Sequence, residues 1–459
     1  MGFVLKERAD GLRCQNETIK KHQTRGLLNQ EVKCHSKEAN ETTLRRTILV
    51  MRQRLTQDKI QIHRGAEMTL KIRMICAFMV CNIIGCIFLT LTWSKQNSKI
   101  RIPTKTFWQK HLVSKSLWNL EQQRLDFIHN PIFNTTFDSL SELPDWLNYM
   151  EPKSNPCEPH LRVQQQIVDY NLIPKQFQDF LLYSHCKSYP MLINQPTICE
   201  DTPFLLLVVK TLVPHFDRRQ AIRETWGQAG VVANRTVATV FLLGNAIYED
   251  NHPNLTGLLQ YEVEMYGDIL QWDYRDTFLN LTLKDLLFLD WFRSFCPSAQ
   301  FVLKGDDDVF VNTPLIIEFL DLLHPKRIPD LFIGDVITNA GPHRNKNLKY
   351  FVPESYFVGS YPPYAGGGGF LYSGQVALQL HEAAKKVVVY PIDDVYTGMC
   401  LAKLGLAPEK HTEFRTFDIA AKYRDNPCIY RSFMVVHSRT PQEIKHIWRW
   451  IMHPELHCQ

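Results

Sequence analysis

The chain has 459 residues, of which 45% are hydrophobic and 22% charged, the composition of a globular protein and not of a disordered, collagen-like or low-complexity one. Twelve cysteines at this length are too dilute for a small disulfide-stapled scaffold. The formal charge of +5 is unevenly held: residues 1–73 carry 16 of the 52 Lys and Arg and 8 of the 47 Asp and Glu, leaving 36 basic against 39 acidic residues in the remainder, which offers no electrostatic footprint for nucleic acid.

Residues 1–67 are polar, without apolar periodicity or a core. Translation from Met68 would replace them with a short basic lead, MTLKIR, and the intact mass of the cellular protein distinguishes the two starts. Residues 74–93 (MICAFMVCNIIGCIFLTLTW) form an uncharged run of 20, enough to cross a hydrocarbon core of roughly 30 Å, with Trp93 at an interfacial position. No small-residue cleavage site follows, so the run reads as a retained anchor behind a cytosolic tail, 1–73. Five Lys and Arg lie on each near flank, so local charge leaves the orientation tied, and the wider basic tail leans the N-terminus towards the cytosol. The sequons at Asn134, Asn234, Asn254 and Asn280 follow the span and carry glycan only if that side is lumenal. Seven cysteines also follow it, at 157, 186, 199, 296, 400, 428 and 458, which allows three bridges and one thiol left over with the pairing open. No spacing among them suggests a zinc site.

Residues 94–145 look like a lumenal stem with scattered aromatics (Phe107, Trp108, Trp118). From 146 to 459 the pattern is that of one α/β domain. Short apolar runs at 204–209, 237–243, 301–303, 331–337 and 434–436 predict buried strands. Between them, 218–226 behind Asp217 as a cap, 281–295 with i, i+3, i+4 apolar spacing, and 314–324 opening on Pro314 predict helices. The alternation predicts a mostly parallel, doubly wound sheet flanked by helices, with ligands at the carboxyl ends of its strands. No internal repeat is evident.

Chemistry concentrates in five places. Asp306, Asp307 and Asp308 follow the apolar run FVL, and their mutual repulsion calls for a cation or raised pKa values; hard oxygen ligands suit Mg²⁺ or Mn²⁺, whereas the alternative is a solvated acidic turn. The apolar 309–311 beyond them makes the trio an interruption of a buried strand. In YPPYAGGGGFLY, residues 361–372, four glycines allow close backbone approach to a ligand within an aromatic frame, or else form a plain turn. Asp393 and Asp394 open an apolar run as helix N-terminal carboxylates, which on their own read as caps. Arg219 and Arg223 share a helix face suited to phosphate or uracil oxygens, with Glu224 or Glu262 as competing partners for Arg223. His437 ends an apolar run, where a single His is more often structural.

Taken together and in order, RRQAIRETWG, WDYRDTFLNLTLK, KGDDDVFVN, PPYAGGGGFLYSG and YPIDDVYTGMCL resemble the β-1,3-glycosyltransferases of family 31, and within it the β-1,3-N-acetylglucosaminyltransferases that build poly-N-acetyllactosamine; LFIGDVITNAGPHRNKNLKY and VHSRTPQE add to the match. The resemblance spans about 94–458 and leaves 1–67 without a counterpart. It implies a GT-A fold, a single-pass type II Golgi membrane protein, and inverting transfer of GlcNAc from UDP-GlcNAc to the 3-OH of a terminal galactose on glycoprotein or glycolipid glycans. It further implies Asp308 and His437 as ligands of Mn²⁺ or Mg²⁺, and Asp394 as catalytic base. Donor contacts would come from Lys210, Arg219, Arg223, Asp276, Lys284, Asp306, Asp307 and Gly368, and acceptor contacts from Tyr364, Gly367 and Asp393; a homodimer is allowed. The competing readings are a β-1,3-galactosyltransferase using UDP-Gal and a catalytically silent glycan-binding Golgi protein.

Overall fold

In a computed structural model the described residues are 79–80, 82–83, 115–129, 157–246, 253–453 and 458. The chain divides into two units, Met1–Lys99 and Ile100–Gln459. Of the first, residues 79, 80, 82 and 83 are described; they are helical and exposed. The expected span at 74–93 therefore lies almost wholly outside the described residues, among which no helix is long and apolar enough to cross a membrane. The remaining paragraphs concern the second unit.

Its strands are β1 Met191–Ile193, β2 Leu205–Lys210, β3 Gly230–Val232, β4 Arg235–Asn245, β5 Ile269–Arg275, β6 Phe301–Asp306, β7 Val309–Val311, β8 Phe332–Ile337, β9 Tyr364–Ser373, β10 Glu409–Lys410, β11 Phe414–Arg415 and β12 Val435–His437. Its main helices are α1 Leu117–Ile128, α2 Lys175–Tyr183, α3 Phe216–Arg223, α4 Thr256–Tyr266, α5 Leu281–Phe295, α6 Thr313–Asp321, α7 Gly374–Ala384, α8 Asp393–Lys403, α9 Pro427–Arg431 and α10 Pro441–Ile451. A large sheet runs β1-β5-β4-β2-β6-β9-β8-β10, with β3 on β4, and a small sheet runs β11-β12-β7.

The sheet is mixed, which corrects the expectation of a mostly parallel one. β5, β4, β2 and β6 pair in parallel, as do β8 and β10, whereas β9 runs antiparallel to both β6 and β8, and β1 and β3 are also antiparallel. β9 contains the four glycines, so the segment read as a turn or wall is a strand. Phe370, Leu371 and Tyr372 give it buried side chains on both faces, and the glycines leave room for what packs on it.

Both faces of the large sheet are covered, which is why β2 reads as an unbroken apolar run. Leu206 and Val208 join the core beneath α5, α7 and α8, while Leu205, Leu207 and Val209 join the opposite core. Full burial of a side chain such as Phe288 on α5 or Ile316 on α6 is worth roughly 1.5–3 kcal/mol. α1, expected within a stem, belongs to this body: Trp118 is fully buried and its indole N–H donates to Val388 O at 3.0 Å, while Gln122 donates to Lys386 O at 3.0 Å.

Two helix starts differ from the expected ones by one or two residues. α3 starts at Phe216, so Asp217 lies in its first turn and does not cap it. α6 starts at Thr313, one residue before the expected start, and is capped by Asn312, whose side chain accepts from Leu315 N at 3.3 Å. Cysteines 157 and 186, 199 and 296, and 428 and 458 are bridged, and Cys400 is the free, buried one.

Candidate active site

The acidic trio sits where the chain leaves one sheet for the other. Asp306 is the last residue of β6, Asp307 and Asp308 turn, and β7 begins the small sheet. The trio thus joins two strands of different sheets; it does not interrupt one. β12 pairs antiparallel with β7, His437 opposite Val309, and that register carries His437 from about 130 residues away to the side of Asp308.

Asp306, Asp308 and His437 each present a ligand atom, all within 4.8 Å of one another. His437 Nδ1 lies 2.8 Å from Thr416 O and donates there, which aims Nε2 at Asp308 Oδ1, 3.2 Å away; protonated, Nε2 donates to that carboxylate, and in the neutral ring it keeps the lone pair that a cation would take. The hydrogen bond to Asp308 carries the imidazole pKa above its ordinary value. Two carboxylates and an imidazole fixed by a carbonyl are a donor set that fits a divalent cation. Asp307, by contrast, is buried and saturated: Thr211 Oγ1 donates at 2.5 Å, Arg218 at 2.8 Å, and His215 Nδ1 lies at 2.7 Å. Burial would raise its carboxyl pKa, yet these bonds outweigh it and hold it below the usual range.

Asp306 also belongs to a second cluster. Lys210 at the end of β2 is in register with Asp306, and its Nζ lies 3.1 Å from Asp306 and 2.6 Å from Asp393. Asp393 and Asp394 open α8, but neither caps it; the cap is Ile392. Asp394 Oδ1 accepts from Val395 N at 2.8 Å. Burial would lift the Asp393 carboxyl, but Lys210 beside it prevails and holds it below the ordinary range. Asp394 forms no ion pair among the described residues: burial, then the neighbouring Asp393, push it up to about 7 against the weaker pull of Lys210. A paired and an unpaired carboxylate side by side separate one ionised group from one poised to exchange a proton at neutral pH.

β9 passes between these groups. A methyl added at Gly367 would lie 3.6 Å from Asp394 Oδ2, one at Gly368 would lie 3.0 Å from His437, and one at Gly366 would reach Thr416 at 2.4 Å. Gly366 and Gly368 therefore let the strand lie flush against Thr416 and His437, whereas the contact of Gly367 with Asp394 is an ordinary one. Tyr364, at the start of β9, packs on Gly398 of α8; burial, then the nearby Asp394, raise its phenol pKa.

The other expected donor contacts divide. Lys284 donates to Thr211 O at 2.7 Å and pairs with Asp276 Oδ2 at 2.8 Å, which also accepts from Gly244 N. Asp276 Oδ1 is buried and has no partner among the described residues. Arg219 and Arg223 do not reach the trio. Arg219 is fully buried on Glu262 and two backbone carbonyls, and Arg223 pairs with Glu262 and Asp268. The guanidinium that faces the trio is Arg218, on Asp307 and 3.7 Å from Asp308. Helical phase could have singled it out, since 218 and 219 point about 100° apart, but only the packing of α3 decides which faces inward. Thr211 and His215, absent from the sequence reading, lie on the loop between β2 and α3. Of the sequons, Asn234 and Asn254 are exposed, Asn280 is partly buried with its amide donating to Arg275 O, and Asn134 lies outside the described residues.

An α/β body with a candidate carboxylate–imidazole cation site at the carboxyl end of a central strand, beside a partly buried acid near neutral pKa, is an architecture for transferring a group from a phosphorylated donor. The chain belongs to the galactosyltransferase family, glycosyltransferase family 31, whose family description, Galactosyltransferase, matches residues 217–412. It is 50% identical over 395 residues to mouse (Mus musculus) N-acetyllactosaminide beta-1,3-N-acetylglucosaminyltransferase 2, covering 84% of this chain and 98% of that protein. The Homo sapiens protein of that name is 49% identical over the same length, again 84% and 98%. Rat (Rattus norvegicus) UDP-GlcNAc:betaGal beta-1,3-N-acetylglucosaminyltransferase 7 is 44% identical over 310 residues, 66% of this chain and 77% of that protein.

Proposed function

We propose that this chain is an inverting glycosyltransferase that moves GlcNAc from UDP-GlcNAc to the 3-OH of a terminal galactose on N-acetyllactosamine glycans. The names of relatives at 44–50% identity support the donor and acceptor. The observation that carries the reading is that Asp306 belongs both to the cation cluster and, through Lys210, to the aspartate pair that opens α8.

An α-linked donor gives a β product by one in-line displacement, so one base must take the proton of the acceptor hydroxyl. Asp394 is that base, ionised from about pH 7 upward. Asp306, Asp308 and His437 hold Mn²⁺ or Mg²⁺. When bound, the cation supplies charge that stabilises a leaving diphosphate, so no second carboxyl acid is required. Lys210 keeps Asp393 ionised and orients it towards the acceptor side, where Gly367 and Tyr364 border Asp394. Asp276, whose Oδ1 has no partner among the described residues, and Gly368 are assigned to the donor. Lys284 orients Asp276. Asp307 fixes the turn, and Arg218, which it holds, takes the phosphate-facing role expected of Arg219 and Arg223.

The fold is of GT-A type, and the uncharged run at 74–93 anchors the protein as a type II Golgi membrane protein, with the catalytic body and the sequons at Asn134, Asn234, Asn254 and Asn280 in the lumen. Donor profiling tests the activity: the purified protein on N-acetyllactosamine should release UDP from UDP-GlcNAc, and EDTA should abolish release. Preference for UDP-Gal would make it a galactosyltransferase, and release with neither donor would reject the reading.

A further inference from the structure

The segment His437-Ser438-Arg439 is held in a way that the proposed chemistry does not by itself require. Ser438 has φ 64° and Asp418 has φ 70°, left-handed values uncommon for residues with a Cβ. The two strained residues are tied to each other by one buried guanidinium. Arg439, with 1% of its side chain exposed, donates to Asp418 Oδ1 at 2.7 Å, to Ser438 O at 2.8 Å, to His437 O at 3.2 Å and to Tyr430 Oη at 3.0 and 3.2 Å. Its backbone N–H donates to Asp308 O at 2.7 Å. Arg424 closes the arrangement, bonding Asp418 Oδ2 at 2.6 Å and Ser438 O at 3.3 Å.

Arg439 thus touches the backbone of both Asp308 and His437. Through Asp418 it also fixes the loop whose Thr416 carbonyl sets the His437 tautomer. An ion pair that buries a guanidinium is a poor way to gain stability, since well-packed apolar residues generally do as well or better; here Arg439 is buried and Asp418 is 24% exposed. The same pair is a good way to hold two strained turns in one geometry, because a guanidinium offers five donors in a rigid fork. We infer that Arg439 and Asp418 are positioning residues: they clamp the turns at 416–418 and 437–439 so that Asp308 and His437 present their ligand atoms to one divalent cation. This rests on the cation site proposed above and goes beyond it by assigning two residues that never touch the ion.

The test is direct Mn²⁺ binding by the full chain in the presence of UDP, read from the electron paramagnetic resonance signal of free Mn²⁺, with circular dichroism and thermal unfolding in EDTA recorded on the same samples. Arg439→Lys keeps the charge and loses the fork; Asp418→Asn keeps the shape and loses the charge. Each should remain folded and weaken Mn²⁺ binding about 10- to 100-fold, the usual cost of disturbing groups that orient metal ligands. A purely structural clamp would lower the unfolding temperature in EDTA and leave the affinity of the folded protein alone, so a folded Arg439→Lys that binds Mn²⁺ within about twofold of wild type overturns the inference. If Arg439→Lys does not fold, Asp418→Asn is judged by the same threshold. Wild-type protein that binds no Mn²⁺, or whose binding survives Asp308→Asn, refutes the cation site itself, which is a different failure.

Discussion

Replacing Asp394 by Asn tests the division of labour between the two aspartates of α8. The amide is isosteric, Asp394 shares no bond with Asp308 or His437, and its Oδ1 contact to Val395 N survives through the amide oxygen. Only the capacity to take a proton is removed. General-base contributions are typically 10²–10⁴-fold, about 3–5.5 kcal/mol at 1.36 kcal/mol per decade, and kcat should fall by that factor. Affinity for UDP with Mn²⁺, measured by calorimetry, should stay within about twofold. In the wild type, log kcat/KM should climb with near unit slope below the Asp394 pKa of about 7 and level off above it; the residual activity of the variant should lack that limb. Stability gives an independent sign. The folded pKa is raised above the unfolded value of about 3.9, so below that value the carboxyl contributes no difference. Between about pH 4 and 7 the unfolded chain releases a proton that the folded one keeps, and wild-type stability declines. The variant's unfolding temperature should accordingly gain on wild type as pH rises through that window. An Asn variant that loses UDP affinity as much as turnover, or that keeps the acid limb, would refute the assignment.

Three other outcomes follow from the packing. Lys210→Met should cost about 3–5 kcal/mol of stability, read by denaturant unfolding, because it strands Asp306 and Asp393 without their common partner. Gly366→Ala should lower the unfolding temperature by the equivalent of about 1–3 kcal/mol, since the new methyl would meet Thr416 at 2.4 Å; an unchanged midpoint would mean that β9 does not lie flush on the small sheet. The buried Cys400 thiol, pushed up to about 12 by burial, should resist maleimide in the native protein and react only after unfolding, as peptide mass spectrometry of labelled protein would record.

Much of the chemistry was legible in the chain, and the reason is local. Strand β6 running into three aspartates, the tandem carboxylates at a helix start, and the α5 periodicity are properties of a few consecutive residues, and the helix Leu281–Phe295 has the bounds that its spacing predicted. The left-over cysteine was countable, although its identity was not. Errors arose wherever a neighbour distant in sequence decides. The glycine run read as a wall for a ligand or else a plain turn, because no side chain signals a strand; it is one because β6 and β8 supply ladders on both sides. Arg219 and Arg223 share a face suited to phosphate, with Glu224 or Glu262 as the alternative partner of Arg223; the fold takes that alternative, setting Glu262 against both and Asp268 against Arg223.

What the amino-acid sequence determined alone was the inventory: which carboxylates, which imidazole, which buried runs, and their order. The tertiary structure decided the partnerships. Lys210 meets Asp393 across 183 residues, and His437 reaches Asp308 only because β12 pairs with β7 in one register. Ionisation follows partnership, since in a buried cleft a carboxylate's pKa is set by the charges and donors within a few ångströms. That is why Asp393 and Asp394, adjacent and chemically identical in the chain, acquire opposite shifts in the fold.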